Sequence, residues 1–401
     1  MSLIVQKFGG SSVANAERIM NVASIVTETY DAGNNVIVVV SAQGDTTDDL
    51  IAKANEINPD ASRREMDVLL STGEQISISL LAMAIEKLGY PVTSLTGWQI
   101  GMKTDSTYSN ARIKQCDTER MKAELDNKHI VIAAGFQGIN KYDDITTLGR
   151  GGSDTTAVAI AAVMHADLCQ IYTDVDGVYT ADPRKVPTAV KMDEITFDEM
   201  LELASLGAQV LHNRSVEMAK KYGVNLEVVS SLKRVPGTKV KEVVSMEKML
   251  VRGVAKDEDV IRVSVLGVKD EPGIAFRLFS ALSKKKVNVD IIIQSLGSDG
   301  KNDISFTISK NHLKDTLSVL DDLKGSIQAR EFKYDENVAK VSIVGAGMVN
   351  NPGIAAMMFE ALYDAGINIQ MIATSEIKVS VLIEAGDADA AVRAIHDKFI
   401  K

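Results

Sequence analysis

Across residues 1–230, short apolar runs alternate with longer stretches whose apolar positions recur every three or four residues. The runs Leu3–Lys7, Val36–Val40, Val92–Leu95, Ile130–Ala134, Leu168–Thr173 and Leu226–Val229 have the length and branched-residue content of buried strands. Between them, Ala16–Tyr30 and Asp67–Leu88 carry the helical period. Strand and helix in alternation predict an α/β fold with a mainly parallel sheet between helices. Ligands of such sheets bind beyond the carboxyl ends of the strands.

The pattern changes near Pro236. The stretch RVPGTKVKEVVSMEKM is polar and turn-rich and reads as a linker. Beyond it lies an internal repeat. EPGIAFRLFSALSKKKVNVDII begins at Glu271 and NPGIAAMMFEALYDAGINIQMI at Asn351. Pro272 recurs as Pro352, Gly273 as Gly353, Phe279 as Phe359 and Asn288 as Asn368. Each copy predicts strand, Pro-Gly turn, helix and two further strands, so the C-terminal part holds two copies of one small α+β module.

Several loops after the predicted strands carry polar residues suited to anion binding. The first strand ends in Lys7, Phe8, Gly9 and Gly10, followed by Ser11 and Ser12. Glycines let backbone N–H groups approach a phosphate, and Lys7 adds a full positive charge. As a plain strand-to-helix turn, the same residues predict Ser11 or Ser12 as the cap of the next helix. The loop after Val40 supplies Ser41, Gly44, Asp45, Thr46 and Thr47, and STGEQIS places Glu74 near a helix start. In LGRGGSDTTAVAIA, Arg150, Gly151, Gly152, Ser153 and Asp154 run straight into an Ala-rich helix. Ser153 or Asp154 would cap it, but capping requires neither an arginine nor paired glycines. An arginine at a helix start is a receptor for carboxylate or phosphate. YTDVDGVYTADPRKVP gathers Thr173, Asp174, Asp176, Tyr179, Asp182 and Arg184 after a strand. Its spacing does not fit a Ca²⁺-binding loop; a ring for a base, an arginine for phosphates and carboxylates near Mg²⁺ fit a nucleotide.

Composition narrows the choice. Lys and Arg number 44 against 54 Asp and Glu, a formal net charge of −10, which disfavours nucleic acid and anionic membranes as partners. Two cysteines, Cys116 and Cys169, make neither a disulfide framework nor a metal cluster. The opening MSLIVQK lacks the pattern of a secretory signal, and no transmembrane helix is expected, so a cytoplasmic setting is expected. The chain has no P-loop, no dinucleotide fingerprint, no protein-kinase signature set and no zinc motif. The residues alone thus point to a nucleotide-dependent enzyme of none of the commonest designs.

KFGGSS, GRGGSD and YTDVDGVYTADPR, taken together, resemble the aspartate kinases of the amino-acid kinase superfamily, and the Pro-Gly repeats resemble tandem ACT modules. The resemblance covers nearly the whole chain, in the family's order. It implies a catalytic domain over residues 1–235, a linker and first C-terminal strand over 236–261, an inserted ACT module over 262–336 and a second over 337–401. It further implies transfer of the γ-phosphoryl group of ATP, with Mg²⁺ carried on ATP, to the side-chain carboxylate of L-aspartate. Lys7 and Asp154 would be catalytic. Lys7, Phe8, Gly9, Gly10, Ser41, Thr173, Asp174, Tyr179, Asp182 and Arg184 would hold the nucleotide. Ser41, Thr47, Glu74, Arg150, Gly151, Gly152 and Ser153 would hold aspartate, Glu74 taking the ammonium group and Arg150 a carboxylate.

An effector amino acid would bind where ACT modules pair. The expected residues are Asp270, Gly273, Ile274, Ala275, Asn288, Val289, Asp290 and Gln294 of the first module. Asn368, Ile369, Thr374, Ser375 and Glu376 come from the second. Lysine is the expected inhibitor and threonine a candidate co-effector. Assembly through the ACT modules into a homo-oligomer is expected. One departure from relatives stands out: Gln209 occupies the place of a lysine that contacts ATP, and Asn213 that of a proline. Kinases of the same fold that act on glutamate, N-acetylglutamate or UMP, and a non-catalytic amino-acid sensor, are the alternatives.

Overall fold

A computed structural model describes residues 1–206, 210–242, 250–296, 301–348 and 351–400. The chain forms two compact units: Met1–Tyr179 with Val190–Met246, and Thr180–Ala189 with Glu247–Lys401.

The first unit is built on a sheet of eight strands: β1 (Leu3–Phe8), β2 (Asn35–Val40), β3 (Val92–Leu95), β4 (Ile130–Ala134), β5 (Leu168–Thr173), β6 (Glu194–Thr196), β7 (Leu226–Ser230) and β8 (Thr238–Lys241). Their order across the sheet is β6-β8-β7-β5-β1-β2-β4-β3. All neighbours run parallel except β7 and β8. The six apolar runs read from the sequence are β1 to β5 and β7. β6 and β8 lack an apolar run. In β8 only Thr238 and Val240 face inward, and the exposed Lys239 and Lys241 that alternate with them made the stretch read as linker.

Four helices position the site: α1 (Ala16–Asp31), α2 (Arg63–Leu70), α3 (Thr72–Lys87) and α4 (Gly152–Val163). α1 and α3 cover one face of the sheet through a core of Phe8, Val22, Val26, Val38, Leu81, Ile85 and Ile132. On the other face α4 packs on β1, β2 and β5, and α5 (Asn213–Tyr222) packs on α4. Its run from Thr155 to Ala161 is buried throughout, and the two threonine hydroxyls donate back to the Gly151 and Gly152 carbonyls.

Three local expectations are corrected. The stretch read as one helix from Asp67 to Leu88 is two, α2 starting at Arg63 behind a Ser62 cap and α3 starting after Ser71. Ser71 is tied down by neighbours: its hydroxyl donates to the Val68 carbonyl and its own carbonyl accepts from Gln137 Nε2. Read as one run, Arg63–Lys87 is long and apolar enough to cross a membrane by length and composition, but half of that window is buried inside the domain, as in a core helix. Neither Ser11 nor Ser12 caps α1. Gly10–Val13 makes a short 3₁₀ turn, Ser12 bonds Ser231 at 2.8 Å, and Asn15 caps α1 by accepting from the Arg18 N–H at 3.0 Å. Likewise Gly151, with φ 67°, occupies the cap of α4, and Ser153 and Asp154 stand in its first turn. Only a residue without Cβ fits there, because a Cβ on Gly151 would lie 2.2 Å from the His212 ring.

The second unit contains two sheets of one design. The first is β10 (Ile261–Lys269), β11 (Val289–Leu296), β12 (Lys301–Ile308) and β13 (Glu331–Asp335), ordered β11-β12-β10-β13. The second is β9 (Gly253–Asp257), β14 (Val338–Val344), β15 (Met371–Thr374) and β16 (Lys378–Glu384), ordered β15-β16-β14-β9. The fourth strand follows the first module but precedes the second, so residues of the first module are inserted between β9 and β14. Helices α6 (Ile274–Lys284) and α7 (Leu313–Ile327) belong to the first, α8 (Ile354–Asp364) and α9 (Ala388–Phe399) to the second. The Pro-Gly turn repeats in backbone: Gly273 and Gly353 precede α6 and α8 at φ 98° and 100°. Thr180–Ala189 lies in this unit. Ala181 and Val186 enter the second module's core, Thr180 Oγ1 meets His396 at 2.9 Å, and Lys185 pairs with Asp389 at 2.7 Å.

Candidate active site

The carboxyl ends of β1, β2, β4 and β5 lie side by side, with Lys7 in register with Val39 and Ile171. Successive residues of β1 face opposite sides of the sheet. Lys7 therefore faces the α4 side, whereas Phe8 is fully buried on the other side, stacked on Tyr172 at 4.4 Å. The Phe8 side chain is thus part of the core, and its backbone carbonyl accepts from the Ser41 N–H.

Beyond the strand ends is a cleft of about 300 Å³. Lys7, Gly9, Gly10, Ser41, Thr47 and Glu74 line it from the β1, β2 and α3 loops, and Arg150, Gly151, Gly152, Ser153 and Asp154 from the start of α4. The structure brings together every residue expected to hold aspartate. Ala42, Gly44, Phe136 and Gly149 also line the cleft, beyond the residues expected to bind substrate or nucleotide. Close neighbours explain two of the glycines: a Cβ on Gly10 would lie 2.7 Å from the Ala42 carbonyl, and one on Gly152 2.8 Å from the Phe136 ring.

Charge in the cleft is arranged in two ways. Lys7 Nζ and Asp154 Oδ1 form an ion pair at 2.6 Å with both side chains nearly buried. Asp154 sits in the first turn of α4, where the helix's exposed N–H groups favour negative charge. Glu74 is 3 % exposed; its Oε1 accepts from the Ala42 N–H at 3.1 Å, and its Oε2 has no partner. Burial pushes its carboxyl up to about 8, against the opposing pull of the Ala42 and Glu74 N–H groups.

The residues expected to hold nucleotide divide between the units. Thr173 Oγ1 donates to Asp174 Oδ1 at 3.0 Å at the end of β5, and Tyr179 donates to Asp176 Oδ1 at 2.7 Å. Asp176 also pairs with Lys233 at 3.2 Å. Asp182 and Arg184 fall in the second unit, where they pair with each other at 2.9 Å. Gln209 lies outside the described residues.

Behind the Arg150 loop stands a layer that the sequence did not signal. Asp67, fully buried in α2, accepts from the N–H and hydroxyl of Ser109 and from those of Thr147. Arg214 donates to the Leu148 and Ala111 carbonyls at 3.0 and 2.8 Å. The short strand Ile145–Thr147 belongs to a separate four-stranded sheet whose pieces are too short for a periodic pattern.

In the ACT unit, Gly273, Ile274 and Ala275 form the turn into α6, and Asp270 accepts from Asn302 Nδ2 at 3.0 Å. Asn288, Gln294, Asn368, Thr374, Ser375 and Glu376 are exposed, and Val289 and Ile369 half-buried. Asp290 is already engaged: Lys340, nearly buried on β14, contacts it at 2.5 Å and Asp257 at 3.4 Å. An effector ammonium group at Asp290 would compete with Lys340.

Comparison with known proteins places these features in a family. The profile of the amino acid kinase family matches residues 2–230, and that of the ACT domain matches residues 263–323 and 341–399. An aspartokinase of Geobacillus stearothermophilus is 52% identical over 400 residues, spanning all of this chain and 97% of that protein. The aspartokinase of Corynebacterium glutamicum is 49% identical over 405 residues, spanning all of this chain and 96% of that one. Among solved structures, aspartokinase III of Escherichia coli in complex with aspartate and ADP is similar over the full length of both chains, with TM-score 0.84 and 27% identity. The same enzyme in complex with lysine and aspartate superposes with TM-score 0.76 over all of both chains, at 27% identity.

Proposed function

The chain belongs to the amino acid kinase family, as an aspartate kinase under allosteric control by ACT domains, and we propose that Lys7, Glu74, Arg150 and Asp154 carry its chemistry. The reaction transfers a phosphoryl group from ATP to the β-carboxylate of L-aspartate. That carboxylate is ionised at neutral pH, so no general base is needed. The obstacle is the approach of one anion to another, and catalysis rests on positioning and on positive charge at the transferring group.

Each proposed role follows from the cleft. Lys7 supplies the charge, and Asp154 holds its ammonium group at 2.6 Å. Gly9, Gly10 and the first turn of α4 let phosphate oxygens come close to backbone N–H groups. Arg150 takes the α-carboxylate of aspartate, with Ser41, Thr47 and Ser153 around it. Glu74 takes the α-ammonium group. The observation that carries this reading is the buried Glu74 Oε2 without a partner, in a cleft that also holds the Lys7–Asp154 pair. A buried acceptor left open is costly, and a bound ammonium group removes that cost.

Thr173, Asp174 and Tyr179 of the first unit are proposed to hold the nucleotide; for Asp182 and Arg184, in the second unit, that role stays the one the resemblance implies. Mg²⁺ bound to phosphate oxygens would draw charge from the transferring group. We further propose lysine as the inhibitor, bound at the ACT turns, a cytoplasmic setting, and a homo-oligomer joined through the ACT edge strands.

Hydroxylamine trapping tests the reading. With MgATP and L-aspartate, the purified protein is expected to form aspartyl hydroxamate, to form none from L-glutamate, and to lose the signal when lysine is added. Hydroxamate insensitive to lysine would overturn the effector assignment alone. Absence of product with aspartate would overturn the catalytic reading.

A further inference from the structure

The loop that presents Arg150 is poorly suited to hold a guanidinium group still. It runs Leu148-Gly149-Arg150-Gly151-Gly152, and Gly149 and Gly151 take φ values of 78° and 67°. Glycines lose the most conformational freedom on ordering, so such a loop left to itself would sample many placements of Arg150. The structure pins it at both sides. Before the loop, the Asp67 carboxylate receives the Thr147 N–H at 2.9 Å and the Thr147 hydroxyl at 2.8 Å. The same carboxylate receives the Ser109 N–H at 2.8 Å and its hydroxyl at 3.2 Å. Within the loop, Arg214 bridges the Leu148 and Ala111 carbonyls, and the Ala111 N–H donates to the Thr147 carbonyl at 2.9 Å. The Ser109 carbonyl and the Asn110 amide crowd Gly149, and the His212 ring crowds Gly151.

The geometry points to Asp67 and Arg214 as positioning residues for substrate recognition: they hold Thr147 and Leu148 so that Arg150 meets the α-carboxylate of aspartate in one place. Neither lines the cleft, and each acts through the loop. The inference rests on the assignment of Arg150 made above. Asp67 suits the task because a carboxylate offers acceptors only, and four donors converge on it. Arg214 suits it because a planar guanidinium can bridge two carbonyls at once.

The test is steady-state kinetics on full-length variants Asp67→Asn, Arg214→Met and Arg214→Lys, with Arg150→Ala as the reference. Asp67→Asn keeps the shape but turns an N–H₂ group toward donors. Arg214→Met keeps the stem and removes the bridge. Both are expected to raise KM for aspartate by roughly tenfold. Both should leave kcat and KM for ATP within about twofold. Arg214→Lys should recover part of the loss. Combined with Arg150→Ala, Asp67→Asn should raise KM for aspartate no further, because its effect passes through Arg150. If Arg150→Ala itself leaves KM for aspartate unchanged, the underlying assignment fails. If Arg150→Ala raises it but neither Asp67→Asn nor Arg214→Met does, the positioning role is overturned and the assignment stands. A fall in kcat and a rise in both KM values together, or an additive double variant, would mark Asp67 as structural only and also overturn the inference.

Discussion

Asp154 and Glu74 are both buried carboxylates lining one cleft, and their surroundings differ. Asp154 has the Lys7 ammonium at 2.6 Å and the start of α4 around it. Glu74 has only backbone N–H groups near it, that of Ala42 at 3.1 Å on Oε1, and Oε2 has no hydrogen-bond partner. A buried ion pair keeps its own charges compensated before any ligand arrives. An open buried carboxylate instead holds a recognition capacity that only an incoming cation satisfies. One cleft thus combines a finished ion pair, proposed for the chemistry, with an open carboxylate, proposed for the substrate.

Removing Lys7 breaks the comparison most severely. Lys7→Ala is expected to lower kcat by about 10²–10³, the usual loss for one transition-state donor. It also leaves Asp154 buried without its cation. Turnover equal to the parent in the hydroxamate assay would remove Lys7 from the mechanism.

Glu74→Gln has the next largest effect, and it falls on binding. Loss of a charge-assisted bond of roughly 1.5–3 kcal/mol should raise KM for aspartate by about 10- to 100-fold. Near-constant kcat at saturating aspartate is expected, since the ammonium group does not react. Thermal stability should move the other way. Because burial raises the Glu74 carboxyl from 4.5 to about 8 in the folded state, the folded protein holds its proton through a window in which the unfolded chain has lost it. Stability therefore declines as pH rises through that window, and the Gln variant should lack this part of the decline and melt higher at pH 8. A melting temperature lower than the parent's at that pH would refute the open-carboxylate account.

The smallest effect is a pH profile. Below about 8 the free enzyme carries Glu74 mainly protonated, and the substrate ammonium needs the carboxylate. KM for aspartate should therefore fall as pH rises from 6.5 toward 8, and Glu74→Gln should flatten that slope. A parent profile already flat over this range would place the Glu74 ionisation elsewhere.

Much of this was legible along the chain. Six of the eight strands of the main sheet announce themselves as apolar runs because a central parallel strand is buried on both faces. β6 and β8 do not, being short and one-sided. That the residues expected to hold aspartate would line one cleft was legible because glycines, an arginine and a serine at strand ends have few other reasons to cluster. The Phe8 side chain lies apart from the cleft for a simple reason: adjacent residues of a strand face opposite sides, so it cannot point with Lys7.

The chain by itself determined the local elements, the glycine turns and the duplicated module, because each is set by residues a few positions apart. Only tertiary structure decided what surrounds a charge. Asp67 reads as one acidic residue on a helix until folding brings Ser109 and Thr147, 42 and 80 residues away, onto its oxygens. Glu74 reads as an ordinary first-turn carboxylate until burial strips its water and leaves one oxygen open. Thr180–Ala189 reads as part of the first domain until its apolar side chains enter the core of the second unit. Burial and electrostatic environment are sums over neighbours distant in sequence, and no local pattern encodes them.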